Sequence, residues 1–303
     1  MTEKPTGDTP TNLTIGTLNI RDGRNTRLAI AMRCMREMRV GLGVLTETKI
    51  SHDMYPHYAE GYTIVCTKSK SRQGGVALFF EQSKDFSVEG TRAFGANVIR
   101  ATLVSGRKRW YIIGAYIPPS EVNGETLDCI TQASTTVTNP NLPVILLGVF
   151  NVDLDDLRSG EHGAVRRTET ETLINSMGLK SMRQHFSQNK WHVGRHWTWF
   201  QRRGDKRAGA ICDHIFASTR ADFSSVQIKM PRFVTDHYML KGVMALGSTR
   251  DHRRYVNNRR QNPLQVKQSE QSEADARLEE LAKARTPREK SDGMTYSWIS
   301  PST

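Results

Sequence analysis

Six apolar runs in this chain end in, or carry, a side chain able to bind a metal ion or a phosphate. Asn19 follows IGTL, Glu47 follows VLT, Tyr116 follows IIGA, and Asn151 follows LLGVF. Asp213 lies within ICDHIF, and the pair Asp236 and His237 follows FVT. Binding and catalytic groups collect on loops at the ends of core strands, where a rigid scaffold fixes them. Singly, each position has an ordinary explanation: a strand-end Asn caps a turn, a lone Glu is solvated surface, and an Asp-His pair arises by chance. The ordered set is what points to a site.

Such a set needs strands to carry it, and the hydrophobic pattern supplies candidates. LTIGTLNI (13–20) reads as a strand, RNTRLAIAMRCMREMRV (24–40) carries apolar residues at helical spacing, and GLGVLTET (41–48) reads as a second strand. Strand, helix, strand implies a crossover unit. GYTIVCT, GGVALFF, NVIRATLV and RWYIIGAYIPP follow as strand candidates; Gly74 and Gly75 mark a turn, and Pro118 with Pro119 ends the last run. Residues 125–138 predict a helix that leads into a strand at 143–150, and a further helix spans roughly 165–177. Strands at WTWFQ, CDHIFAS and LKGVMAL complete a mixed α/β protein whose sheets pack face to face or under helices.

The chain has 303 residues, 37% hydrophobic and 24% charged, a globular composition with room for a substantial core. Its 43 Lys and Arg against 31 Asp and Glu leave a net charge of +12, which draws phosphate-rich partners and speeds encounter with them. Charge alone does not separate a nucleic-acid binder from a protein with a basic tail. Cys34, Cys66, Cys129 and Cys212 are widely spaced, with no Cys-x-x-Cys pair for zinc or redox chemistry. Reduced, structural thiols in an intracellular, nuclear setting are expected. The N-terminal MTEKPTGDTPTN lacks the apolar run of a signal peptide, and no run approaches the roughly 18 apolar residues of a membrane span, so no membrane association is expected. The expected layout is a flexible 1–12, a folded domain at 13–247, and a polar, basic linker at 248–303 with a marginal helix near 264–285. Arg250, Arg253, Arg254, Arg259 and Arg260 in that linker form a cluster able to touch phosphate.

In order along residues 13 to 246, TLNI, LTET, YIPP, GVFN, DHI and TDH resemble the motif series of the endonuclease/exonuclease/phosphatase superfamily. With GGVAL, and with HWTW upstream of CDHI, the chain is similar to one branch of it: the apurinic-type endonuclease domains of non-LTR retrotransposon polyproteins, which a reverse transcriptase normally follows. The terminal SWISPST is similar to the linker between those two domains. The resemblance implies a DNase I-like, four-layered α/β sandwich, two packed mixed β-sheets flanked by helices. It also implies an endonuclease that needs Mg²⁺ (or Mn²⁺) and nicks target DNA, with element RNA as a further partner through a polymerase region outside this chain. Oligomeric state is not readable.

Carried over by motif, Asn19 and Glu47 would hold the metal, Glu47 as the main anionic ligand. Tyr116 would contact the scissile phosphate or the leaving group, and Asn151 would orient phosphate or water. Asp213 would support His237 or the metal region, Asp236 would buttress the histidine or share in metal binding, and His237 would bind phosphate. Thr198 would contact substrate, as would Asn19. Hard oxygen ligands in small number suit Mg²⁺, and phosphodiester hydrolysis needs an in-line water, an acceptor for its proton, and neutralisation of charge growing on the phosphoryl oxygens.

Two positions depart from the pattern. The superfamily motif Gly-Asp-Phe-Asn, whose Asp handles the attacking water, reads here Gly148, Val149, Phe150, Asn151. Side chains two apart on a strand share a face, so Val149 is expected to point with Asn151 into the site while Phe150 points into the core. Valine neither accepts a proton nor ligates metal, and loss of a general base typically removes about 10²- to 10⁴-fold in rate. Asp153 keeps the same parity but lies about 6.6 Å further along an extended strand, and Asp155 is further still. Cleavage is therefore expected to be impaired with fold and DNA binding retained. The second departure is Arg21, two after Asn19, where repair endonucleases of the apurinic type carry an acid; it argues against abasic repair more than against nicking. Two readings compete with a nicking enzyme: a catalytically inactive nucleic-acid-binding relic, and a phosphatase of the same superfamily. The aromatic and basic run Trp191, Arg195, Trp197, Trp199, Arg202 and Arg203 is a candidate stacking and phosphate-contact loop.

Overall fold

The computed structural model describes residues 10–248, apart from 25, 52–55, 70–73, 84, 122–123, 137–138, 156–160, 189–196, 204–205, 220 and 233–234. Residues 1–9 of the N-terminus expected to be flexible, the linker cluster from Arg250 to Arg260, the helix expected near 264–285, Trp191 and Arg195 fall outside the described residues, as do the side chains of Arg202 and Arg203.

Along the chain run β1 (Pro10–Asn19), α1 (Arg27–Glu37), β2 (Leu42–Thr46), β3 (Pro56–Ala59), β4 (Tyr62–Cys66), β5 (Val76–Glu81) and β6 (Ser87–Ala93). They are followed by β7 (Val98–Ser105), β8 (Lys108–Tyr116), α2 (Glu125–Thr135), β9 (Val144–Val149), α3 (Glu161–Ser176), β10 (Leu179–Ser181) and α4 (Met182–Gln188). The last elements are β11 (Trp199–Arg203), β12 (Lys206–Ala210), β13 (Asp213–Ser218), β14 (Phe223–Lys229) and β15 (Met239–Ser248). One sheet has seven strands in the order β14-β15-β1-β2-β5-β4-β3, the other six in the order β10-β13-β9-β8-β7-β6, and β11 with β12 forms a separate hairpin.

Period-two alternation explains the layering. On β9, Ile145, Leu147 and Val149 face the partner sheet, while Leu146 and Phe150 face the helices. The inter-sheet core joins Ile15, Leu42 and Val44 of one sheet to Ile112, Ile145, Leu147 and Ile215 of the other. Outside it, Met32 and Met35 of α1 pack on Leu18, Ile20 and Phe79, and Ile130, Leu173 and Ile174 of α2 and α3 pack on Ile113, Leu146 and Phe216. Helix, sheet, sheet, helix: the fold is the α/β sandwich the sequence implies. The sheets approach closely at Gly114, where a Cβ would come within 2.6 Å of the Val44 side chain.

The crossover expected for the first strand-helix-strand run is present, since β1 and β2 pair in parallel; β8 and β9, joined through α2, do the same. Hydrophobic patterning does not reveal β12 of the hairpin, nor β3, β6, β10 and β14, and these last four are the outer strands of the two sheets. An edge strand pairs on one side and needs few apolar residues, as SVEGTRA and FSSVQIK show. Among the described residues no helix is long and apolar enough to cross a membrane.

His214 on β13 lies in the outer core, stacked on Phe216 at 5.1 Å and edge-on to Phe150 at 5.8 Å. Its Nε2 is 2.8 Å from the Val152 carbonyl, to which a neutral ring can donate. Burial pushes its pKa down, against the upward pull of that hydrogen bond, and the net shift is downward. The unfolded chain therefore binds a proton, near pH 6.5, that the folded chain resists. The stability His214 contributes is complete above that pH and is lost as pH falls below it. Urea unfolding midpoints should drop between about pH 7.5 and 5.5, and by less in His214→Phe; an equal drop in both proteins would remove this histidine from the acid sensitivity.

Candidate active site

The two parallel strand pairs deliver side chains from both sheets to one cleft. Asn19 ends β1 beside Thr46 of β2, so Glu47 is the first residue beyond the neighbouring strand. Glu47 and Lys49 both adopt left-handed backbone (φ +53° and +54°), which is costly for non-glycine residues and persists only where surroundings impose it. Here they do: Thr48 N–H donates to Gly75 O (3.2 Å), Lys49 N–H to Gly74 O (3.0 Å), and Gly23 N–H to Thr48 O (2.7 Å). Gly75 itself sits at φ +85°, and a Cβ there would come within 2.6 Å of Thr48 Oγ1. The Gly74-Gly75 pair, read from sequence as a turn, is thus a backbone clamp on the glutamate loop.

The glutamate carboxylate is the centre of the polar network. Oε1 accepts from Asn19 Nδ2 (2.8 Å) on one sheet and from Tyr116 OH (3.0 Å) on the other, and Lys49 Nζ lies 3.7 Å from Oε2. Asn19 Nδ2 also lies 3.4 Å from His237 Nε2. His237 Nδ1 is 2.8 Å from Asp213 Oδ2, with the histidine 4% exposed and Asp213 fully buried. Burial, then the charge and hydrogen bond of Glu47, push the Tyr116 phenol far up, so it stays protonated and able to donate. For His237 burial pulls the pKa down, but the Asp213 charge and hydrogen bond outweigh it and hold the pKa above its ordinary value.

Val149 occupies the middle of a row. Across β8, β9 and β13 it stands opposite Tyr116 on one side and Asp213 on the other, and side chains so paired share a face. The aliphatic group therefore sits between the phenol that reaches Glu47 and the carboxylate that holds His237, at the rim of the inter-sheet core and fully buried. Gly148 before it (φ +150°) allows β9 to hug β8: a Cβ there would fall 1.8 Å from Ala115 O. Phe150 turns the other way, into the helix-side core, as expected. Asn151 lies past the strand end in left-handed backbone (φ +49°), donates to Ile117 O (2.8 Å) and hydrogen-bonds the Tyr116 phenol. Neither neighbouring acid moves into the valine's seat. Asp153 accepts from Ile211 N–H (2.9 Å) and Asp155 N–H (3.0 Å), and Asp155 pairs with Arg183 and Gln184.

Two expectations are corrected. Thr198, expected to touch substrate, is fully buried, and its hydroxyl accepts from both Cys212 N–H (2.8 Å) and Asp213 N–H (2.9 Å). It anchors the start of β13, and with it Asp213. The buttress of His237 is Asp213, not Asp236: Asp236 Oδ2 accepts from Trp199 Nε1 (3.2 Å) and lies 3.6 Å from Arg21. Successive residues alternate sides, so a histidine aimed into the cleft turns the aspartate before it toward the β11 side. Trp199, expected as part of a stacking loop, donates to Asp236 here, and Lys49 was not singled out by sequence, its only signal being its place two residues after Glu47.

Among the described residues no three His, Cys, Asp or Glu side chains gather into a metal-holding group. The donors that could share one hard cation are the Glu47 carboxylate and the Asn19 amide oxygen, which otherwise accepts from Arg21 N–H (2.9 Å). Asp213 Oδ1 and Asp236 Oδ1 are buried without a hydrogen-bond partner, further acceptor capacity around the same cleft. This oxygen-only, low-number set fits Mg²⁺ or Mn²⁺, which bind through one or two carboxylates and keep several waters.

No protein-family model matches the chain, and no curated protein matches it by sequence. By structure it is similar to an AP endonuclease from Leishmania major (TM-score 0.61, 16% identity, covering 77% of this chain and 88% of that one). It is also similar to the endonuclease domain of TRAS1, a telomere-specific non-LTR retrotransposon (TM-score 0.58, 12% identity, 77% and 98%). An AP endonuclease from Archaeoglobus fulgidus matches as well (TM-score 0.57, 20% identity, 77% and 99%). What these likenesses share with the chain is the fold, the two-sheet sandwich of AP-type nucleases.

Thr198→Val keeps shape but leaves two buried N–H groups without an acceptor, so it should destabilise the protein by about 1–3 kcal/mol in urea unfolding. Thr198→Ser should lose much less. A larger loss in Thr198→Ser than in Thr198→Val would show that the methyl group, rather than the hydroxyl, matters at this position.

Proposed function

We propose that this chain is a retrotransposon-type DNA endonuclease domain, built to nick target DNA by phosphodiester hydrolysis and impaired in that reaction by Val149. The observation that carries the reading is convergence: Asn19, Glu47, Tyr116, Asn151, Asp213 and His237, scattered over more than two hundred positions of sequence, meet around one cleft at the strand ends. Similarity in fold to AP endonucleases and to a retrotransposon endonuclease domain supports a DNA substrate, and so does the net charge of +12. A nuclear location follows from such a substrate.

In this reading Glu47 and Asn19 hold Mg²⁺ or Mn²⁺, which when bound supplies Lewis-acid stabilisation of the phosphoryl oxygens. His237, kept in orientation by Asp213 and readily protonated, binds the scissile phosphate. The Tyr116 phenol, protonated and fixed by Glu47, donates toward phosphate or the departing oxygen, and the Asn151 amide beside it orients the phosphate or the attacking water. In this reading the position of Val149 supplies no acceptor for that water's proton. The row that would supply the acceptor, between Tyr116 and Asp213, holds an aliphatic group instead.

The same valine favours a second reading, a catalytically inactive DNA-binding relic, and one experiment separates the two. Supercoiled plasmid is incubated with Mg²⁺ and either the protein or Val149→Asp. Nicking should rise by about 10²- to 10⁴-fold in the variant. Equal, robust nicking by both proteins would refute the role given to position 149. Silence from both, with plasmid still retained in a low-salt shift assay, would favour the relic.

A further inference from the structure

Beside the catalytic cleft opens a pocket of about 660 Å³, lined by Arg21, Arg27, Lys49, Phe200, Thr235 and Asp236 among others. It takes in none of the residues that face Val149. Its lining is more cationic than anionic, because its other acid, Asp22, is matched by a two-point contact from Arg24 (2.9 and 2.8 Å) that holds its carboxyl down at about 2. Lys49 faces Glu47, and Arg27 donates to the backbone oxygens of Ile20 and Asp22.

Arg21 differs from these. Its backbone is fixed in the left-handed region (φ +59°), with its N–H donating to Asn19 Oδ1, so its position is tied to the strand end that carries Asn19. Its side chain is 58% exposed, and the ionic partner it has is Asp236 Oδ2 at 3.6 Å, an oxygen that already accepts from Trp199. A guanidinium has five donors in a planar fork that matches phosphate oxygens and cannot ligate metal. At a place where an acid would repel a second phosphate, this chain presents a cation with most of its donors uncommitted.

We propose that Arg21 makes this pocket a second phosphate subsite, which receives a backbone phosphate neighbouring the phosphodiester held at Glu47 and His237. The inference rests on the proposed function and narrows its substrate class. A polynucleotide strand has a phosphate to offer on that side of the reacting one, and a small phosphate monoester does not. On binding, Arg21 exchanges Asp236 for the phosphate, so the free protein's ion pair keeps the fork beside the pocket until a strand arrives.

The test is binding, not cleavage, and uses the full chain. Affinity for a mixed-sequence double-stranded oligonucleotide is followed by fluorescence anisotropy between roughly 50 and 200 mM salt. The proteins are the unsubstituted chain, Arg21→Gln, Arg21→Lys and Arg109→Gln. Arg109 serves as the equal-charge control, because it lies near the start of β8, about 23 Å of strand away from Tyr116. Arg21→Gln should bind roughly fivefold more weakly and lower the slope of log affinity against log salt by about 0.9. Arg21→Lys should restore the slope, and Arg109→Gln should leave both quantities unchanged. An Arg21→Gln protein that binds as the unsubstituted chain does, or loses no more than Arg109→Gln, would overturn the subsite and leave the proposed function standing. Failure of the unsubstituted chain to bind DNA at all would overturn both. The exposed site of substitution leaves folding intact, which circular dichroism of each variant verifies.

Discussion

The Glu47 carboxylate takes polar contacts from both sheets through a single oxygen. One of its oxygens accepts from Asn19 on the seven-stranded sheet and from Tyr116 on the six-stranded sheet. Most of the remaining contact between those sheets is apolar packing, which is tolerant of small slips because it has no direction, with His237 to Asp213 (2.8 Å) and Gly75 N–H to Asn97 Oδ1 (3.0 Å) as further polar links. Two hydrogen bonds to a charged oxygen are directional, and each loses value steeply with misalignment. The inter-sheet core brings the strand ends close, and the glutamate sets how they meet. Much of the surrounding backbone exists to hold that one side chain, from the left-handed residues at 47 and 49 to the glycine pair that receives the Thr48 and Lys49 amides.

Under the proposed function, position 149 is where chemistry would be lost while architecture is kept. The cleft has no wall between itself and the core: the row Tyr116, Val149, Asp213 belongs to the same face as Ile145 and Leu147. A β-branched aliphatic residue suits a strand and a buried face, so valine there extends the core by one position. It also removes a negative charge from a cleft that already gathers Glu47, Asp213 and Asp236, where like charges would oppose one another's ionisation. Packing and electrostatics thus both favour the valine, and in the proposed reading the cost would fall on proton transfer alone.

The sequence made the inner strands legible because their apolar residues alternate without interruption, and it hid the outer ones for the opposite reason. PHYA, SVEGTRA, LKS and FSSVQIK each pair on one side, and polar residues there cost little. At the site, motif order was enough to nominate Asn19, Glu47, Tyr116, Asp213 and His237, but not to say which acid holds the histidine. That depends on which way each side chain leaves a strand end, and a one-residue alternation decides it in favour of Asp213. Thr198 misled for a related reason. Carried over by motif it would contact substrate, but its hydroxyl is instead spent on the amides of Cys212 and Asp213. Arg21 stood out in the sequence only as a departure; its tie to Asn19 and its place on a second pocket required coordinates.

If the glutamate does join the sheets, its loss and the loss of the phenol cannot be independent. A double-mutant cycle on Glu47→Ala and Tyr116→Phe, read by urea unfolding, measures this directly. The account predicts that the double variant is more stable than the sum of the single losses allows, with a coupling of about 1–2 kcal/mol. Additivity within about 0.3 kcal/mol would contradict it, leaving the cleft without its organising contact.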